Sequence, residues 1–156
     1  MDDNFWMQEA MAEALLARDK GEVPVGAVLV DANGVCIARA HNQSIQLHDP
    51  CAHAEILALR SAGAQLNNYR LVGATLYVTL EPCCMCAGAL VHARVKRVVF
   101  ATRDAKAGAV VSVYSLLNGA PLNHAVEIDE GILHIESATL LRDFFKARRN
   151  KTSFGV

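Results

Sequence analysis

The 156-residue sequence lacks most of the features that mark specialised proteins. Its 15 Lys and Arg face 16 Asp and Glu, and the net charge of −1 excludes the broadly basic surface of a protein that grips nucleic acid over its whole face. Any affinity for nucleic acid must come from a local patch. No uncharged apolar run approaches the roughly 18 residues of a membrane helix, and the opening MDDNFWMQEAM is acidic where a secretory signal is basic. A soluble, cytoplasmic protein that engages no membrane is therefore expected. Repeats, linkers and low-complexity stretches are also missing, so residues 1–156 read as one globular domain, large enough to bury a substantial core.

Cysteine breaks this pattern. There are five, an odd number, and Cys83, Cys84 and Cys86 are so close in sequence that bridges among them would be strained. Metal binding in a reducing compartment suits them better than disulfides.

Met7, Ala10, Met11, Ala14 and Leu15 recur at helical spacing, and Gly21 followed by Pro24 closes a first helix over about 4–20. VGAVLV (25–30) and VCIARA (35–40) flank the turn-forming Asp31-Ala32-Asn33-Gly34 and predict an antiparallel hairpin. The polar stretch from His41 to Ala52 passes Asp49-Pro50 into a helix that finishes on Gly63. A strand at 74–80, a helix at 84–93 and a strand at 97–101 imply a crossover between parallel strands. After a loop at 104–108, the pattern predicts a short helix (111–118), a strand near 125–128 and a last helix from about 132 to 149. The class is α/β, a mixed sheet covered by helices on both faces.

Cys83-Cys84-Met85-Cys86 has the C-x-x-C spacing that lets two thiolates reach one ion from the first turn of a helix. Pro82 presets that turn, and its unpaired N–H groups favour the thiolate forms. Alone, the pair also fits a redox motif or an ordinary helix start. His53-Ala54-Glu55 opens another helix after a polar loop, so both helix mouths can face one cleft at the same end of the sheet.

His53, Cys83 and Cys86 then make a three-ligand zinc site with a fourth position left for water, the arrangement that separates catalytic from structural sites. Two thiolates offset the charge of the ion, so a nearby base is needed to collect the water's proton, and Glu55 is the candidate. Glu55 could instead be a first-turn carboxylate answering the helix dipole. Residues two apart in a regular helix point about 200° from each other, so His53 and Glu55 share a cleft only if His53 sits at an irregular helix start. Cys51 offers a rival reading as the fourth ligand of a closed Cys3His structural site, or simply as a small residue packed in its loop. Cys84 is expected to be buried, and His92 to be a structural histidine.

Taken together, His53-Ala54-Glu55 and Pro82-Cys83-x-x-Cys86 form the signature of zinc-dependent nucleobase deaminases. EVPVGAVLV (22–30), HDPCAHAEILALR (48–60), NYRL (68–71), ATLYVTLEPCCMCAGAL (74–90), RVVFATRDAKAG (97–108), GIL (131–133) and DFFKARR (143–149) extend the likeness over nearly the whole chain. In these segments it resembles the bacterial tRNA-specific adenosine deaminases of the cytidine/deoxycytidylate deaminase superfamily. That resemblance implies a cytidine deaminase-like fold, three layers of helix/sheet/helix around a mixed five-stranded sheet. It further implies one zinc ion per chain, a homodimer, and hydrolysis of the wobble adenosine in a tRNA anticodon stem-loop to inosine and ammonia, with Glu55 moving the protons.

It places Asn42 on the base and Asp104 near the RNA backbone, although Asn42 could equally bond its own loop and Asp104 cap a turn. Phe144, Phe145, Lys146, Arg148, Arg149 and Lys151 are the aromatic and basic cluster of note, suited to stacking and phosphate binding, or to answering a helix dipole. Phe145, Arg148 and Arg149 fall at spacings of three and four, as if on one helical face. The chain departs from the family at Gln43-Ser44, where Arg and Pro are common, and at Val110-Val111, where a small residue and Gly are usual. Two other readings share parts of the pattern: a deaminase of a free base or nucleoside such as guanine or cytosine, and a non-catalytic zinc-stabilised binding module.

Overall fold

A computed structural model describes residues 1–118 and 123–155, with 151–155 as helix backbone only. In chain order the elements are α1 (Asp3–Asp19), β1 (Gly26–Val30), β2 (Cys36–His41), α2 (Ala54–Leu66), β3 (Thr75–Leu80), α3 (Cys84–His92), β4 (Arg97–Thr102), β5 (Glu127–Glu130) and α4 (His134–Gly155). The five strands form one sheet in the order β2-β1-β3-β4-β5. β1 is antiparallel to β2 and β3, whereas β3, β4 and β5 run parallel. This is the expected mixed sheet in a three-layer α/β fold.

Strand alternation divides the core in two. Val28, Tyr77 and Val99 stand side by side across β1, β3 and β4 and pack with Trp6, Met7 and Ala10 of α1. Their neighbours Leu29, Leu76 and Val98 point the other way, toward Ala54 and Ala58 of α2 and Ala87 and Leu90 of α3. α1 sits so close to β1 that a Cβ on Gly26 would overlap the Ala10 carbonyl. Ala10, Ala14 and Ala17 give the helix the flat face this approach needs.

Both sheet edges are guarded. β2 lies beside α2, and β5 carries Asp129 and Glu130, which pair with Arg97 and Arg103 at 2.7 and 2.8 Å. At the amino ends of the parallel strands, Tyr77 and Arg97 hold the Asp3 carboxylate at the start of α1, which leaves the carboxyl ends of β3 and β4 open to form a cleft.

Several expectations require correction. The short helix over 111–118 does not form. Val113 N and Tyr114 N both bond Gly108 O and Leu116 N bonds Ala109 O, spans of five to seven residues in place of the helical four, so the segment is a series of turns. α2 runs through Gly63 to Leu66 and ends on Asn67, whose φ of 52° provides the left-handed cap expected of the glycine. The last strand begins two residues later than expected, where Glu127 N bonds Lys96 O. Cys84 is exposed, because Cys83 and Cys86 take the inward positions of the same turn. His92 is exposed in the last turn of α3, where a side chain of this type answers the helix C-terminus.

Candidate active site

His53 is the N-cap of α2 (φ −74°, ψ 151°) and Cys83 the N-cap of α3 (φ −76°, ψ 177°), yet neither side chain accepts a capping hydrogen bond. An N-cap side chain ordinarily turns back onto the amides of its own first turn. These two turn toward each other. His53 Nδ1 lies 3.6 Å from Cys83 Sγ and 3.5 Å from Cys86 Sγ, and all three ligand atoms fall within 4.8 Å of one another. Tetrahedral zinc with ordinary Zn–N and Zn–S lengths separates such a pair by about 3.6 Å, so this donor set fits the ion in both spacing and softness.

The hydrogen bond from Cys86 pulls the Cys83 thiol down to about 4, with His53 adding to the effect. Its bond to Cys83 raises His53 above the usual imidazole value, and Cys86 is pushed up by its bond to Cys83 and by burial. Three groups that share protons this closely are ready to exchange them for a cation.

Because His53 lies outside the helix proper, Glu55 two residues later in the first turn can face the same cleft. Glu55 is 4% exposed. Burial pushes its carboxyl up to about 7, against the nearby His53. Asn42 supplies the cap that His53 withholds, its Oδ1 accepting Ala54 N at 2.8 Å. Glu22, also buried, accepts the amides of Ile45 and Gln46 at 3.1 and 2.7 Å and holds the loop before α2.

The cleft above this centre measures about 1080 Å³. Its floor includes His53, Glu55 and Cys83, one side is the loop from Arg103 to Ala107, and α4 forms the facing wall. Arg142, Phe145, Lys146 and Arg149 line that wall at intervals of three and four, one stripe of the helix. Glu81, at the carboxyl end of β3, accepts hydrogen bonds from four main-chain amides between Asp104 and Ser112.

The model for the cytidine and deoxycytidylate deaminase zinc-binding region matches residues 1–102. A tRNA-specific adenosine deaminase of Haemophilus influenzae is 46% identical over 96% of this chain and 86% of its own. The chain belongs to the tRNA-specific adenosine deaminase family. Among solved structures, one from work on A-to-I editing by tRNA:A34 deaminases at the wobble position of transfer RNA superposes on this deaminase with a TM-score of 0.85 at 44% identity, covering 88% of this chain and 99% of that one. A guanine deaminase from Nitrosomonas europaea is more distant, with a TM-score of 0.75 and 25% identity over 92% of this chain and 84% of that one.

The deaminase thus brings His53, Glu55, Cys83 and Cys86 together as expected, with Asn42 on the rim of the same cleft. Among the described residues Cys51 does not join the ligand cluster, so the closed Cys3His site is not built. Asp104 lines the cleft and also caps its own turn, its Oδ1 accepting Lys106 N and Ala107 N at 3.0 and 3.2 Å. Phe145 and Arg149 reach the cleft, but Arg148 does not share their face. It donates to Gly21 O at 2.9 Å and lies over the Phe144 ring, 4.8 Å from the centroid. The side chain of Lys151 lies outside the described residues.

Arg142, which lines the cleft, and the carboxylates of Glu22 and Glu81, which hold the loops around it, were not singled out in the sequence. Arg142 had a signal, its spacing of three and seven from Phe145 and Arg149. The two glutamates had only a faint one, a charge adjoining a run that otherwise buries.

Proposed function

We propose that this chain hydrolyses the 6-amino group of the wobble adenosine in a tRNA anticodon, giving inosine and ammonia. One observation carries the reading: the His53, Cys83 and Cys86 cluster and the buried Glu55 form the floor of a cleft whose facing wall is the cationic, aromatic stripe of α4. His53 and the two thiolates hold one zinc ion per chain. When bound, zinc supplies the Lewis acidity that activates a water molecule for attack on the ring.

Glu55 is placed to carry one proton of that water to the ring nitrogen, where it stays in the inosine, and the second, from the attacking oxygen, to the departing amine as the C–N bond breaks. Its burial excludes bulk water from the transfer. Asn42 has its carbonyl oxygen committed to α2, so its NH2 is the group offered to an acceptor on the purine edge. Arg142, Lys146 and Arg149 meet phosphates, and Phe145, 40% exposed, offers a ring for stacking. A free base needs none of these groups, and a cleft of 1080 Å³ lies at the upper end of what a drug-sized ligand occupies.

The reading includes a cytoplasmic homodimer, for which exposed Ile45 and Leu47 supply apolar surface. Among the described residues no helix is long and apolar enough to cross a membrane. The test is to incubate zinc-loaded protein with an anticodon stem-loop bearing a wobble adenosine, and in parallel with free adenosine, guanine and cytosine, measuring inosine and ammonia. Inosine from the stem-loop alone is the expected result. Product from a free base alone would keep the zinc chemistry and remove the RNA assignment, and no product from folded, zinc-bound protein would leave a binding module.

A further inference from the structure

We infer that Glu81 is a positioning residue that sets the substrate wall of the cleft, tethering the 104–112 loop to the segment that carries Cys83. The carboxylate is 2% exposed, and its charge is met by main-chain donors. Oε2 accepts Val110 N at 3.1 Å, Val111 N at 2.8 Å and Ser112 N at 3.0 Å, three consecutive amides converging on one oxygen as in an anion-binding nest. Oε1 accepts Asp104 N at 3.0 Å and the Ser112 hydroxyl. Gly108 passes so close that any Cβ there would overlap the carboxylate.

The tether is short and anchored on both sides. Glu81 N bonds Thr102 O and Ala109 N bonds Pro82 O, each at 2.9 Å, while Cys83 follows two residues after the carboxylate. The segment Glu81-Pro82-Cys83 therefore delivers a metal ligand forward and grips the loop sideways. The outer turn of that loop, Asp104 to Ala107, lines the cleft, so the carboxylate fixes its distance from the metal centre. Hydrogen bonds to a charged acceptor are the stronger kind, and a loop held by five of them does not drift.

As a statement about substrate, this rests on the deaminase reading above. The test uses the zinc-loaded full chain with Glu81→Gln, which keeps the volume but turns an NH2 toward donors. Expected are a KM for the anticodon stem-loop raised about 10-fold or more with kcat within about 3-fold, unchanged zinc content, and faster hydrogen exchange at the amides of 110–112 but not in β3. Gly108→Ala should reproduce the KM effect, and in a Glu81→Ala background it should add less than about 2-fold, because the overlap is gone.

Unchanged KM and exchange in Glu81→Gln would overturn the proposal. So would zinc loss that accounts for the activity change, or a Gly108→Ala effect that is the same with and without the carboxylate. If the unmodified chain fails to deaminate the stem-loop while Glu81→Gln still releases the 110–112 amides, the tether stands and the RNA reading falls.

Discussion

On the metal side of the cleft, His53 and Glu55 stand two residues apart and Cys83 and Cys86 three, each pair at one helix mouth. On the facing side, Glu81 reaches 23 residues forward to Asp104 and 31 to Ser112, and α4 arrives from the far end of the chain. The metal side is local geometry repeated twice: an N-cap side chain that forgoes its capping bond, followed within one turn by a second functional group. The wall has no such local rule. It depends on a buried carboxylate and on where a long helix docks. Chemistry should therefore be lost by changes on one side and substrate affinity by changes on the other.

The largest expected effect is on the metal side. Cys86→Ala removes a fully buried ligand, and a site of one imidazole and one thiolate no longer closes around zinc. Deamination should become undetectable, with zinc content near zero by metal analysis and a lowered Tm, since binding energy is folding energy in such a site. Retained zinc and activity would mean that another group completes the coordination, and would break the comparison at its root.

Glu55→Gln comes next. It preserves shape and leaves all three ligands in place, so zinc content and stem-loop binding should be unchanged while kcat falls about 10²- to 10⁴-fold. Single-turnover kinetics alongside a binding titration separate the two quantities. A variant that loses RNA affinity to a similar extent would show that Glu55 belongs to the wall as much as to the floor.

The same contrast explains how much was legible in the sequence. His53, Glu55, Cys83 and Cys86 were readable because their function depends on residue type at a spacing of two or three, and because Pro50 and Pro82 mark helix starts. The strands were readable from their alternation, and the parallel pair from the short helix between them. The stretch 111–118 was not, since apolar spacing says helix there while its lead-in is pinned to Glu81, a partner about 30 residues away, and the amides that follow turn back to Gly108 O and Ala109 O. The placement of Arg148 was hidden for a related reason. Spacing puts it near the face of Phe145 and Arg149, and only the fold reveals Gly21 O and the Phe144 ring waiting on the other side.

A smaller effect is expected on the wall. Arg149→Ala should raise the stem-loop KM by about 3- to 10-fold with kcat little changed, and lower the slope of log affinity against log salt by about 0.7, one phosphate contact on a single strand. Measuring KM at several salt concentrations gives both numbers. An unchanged salt slope would move the phosphate path away from this helix.

The smallest effect on activity is expected from Arg148→Ala, one position away on the same helix. Its guanidinium donates to the Gly21 carbonyl and stacks on Phe144, so it ties α4 to the turn after α1. Losing a hydrogen bond and a cation–π contact at an exposed site costs about 1 kcal/mol in stability, while the stem-loop KM should move less than about 2-fold. Thermal unfolding and steady-state kinetics on the two arginine variants, side by side, read out the difference. If Arg148→Ala instead matches Arg149→Ala in KM and salt slope, then the RNA displaces Arg148 from Gly21 on binding, and the wall rearranges where the metal side stays fixed.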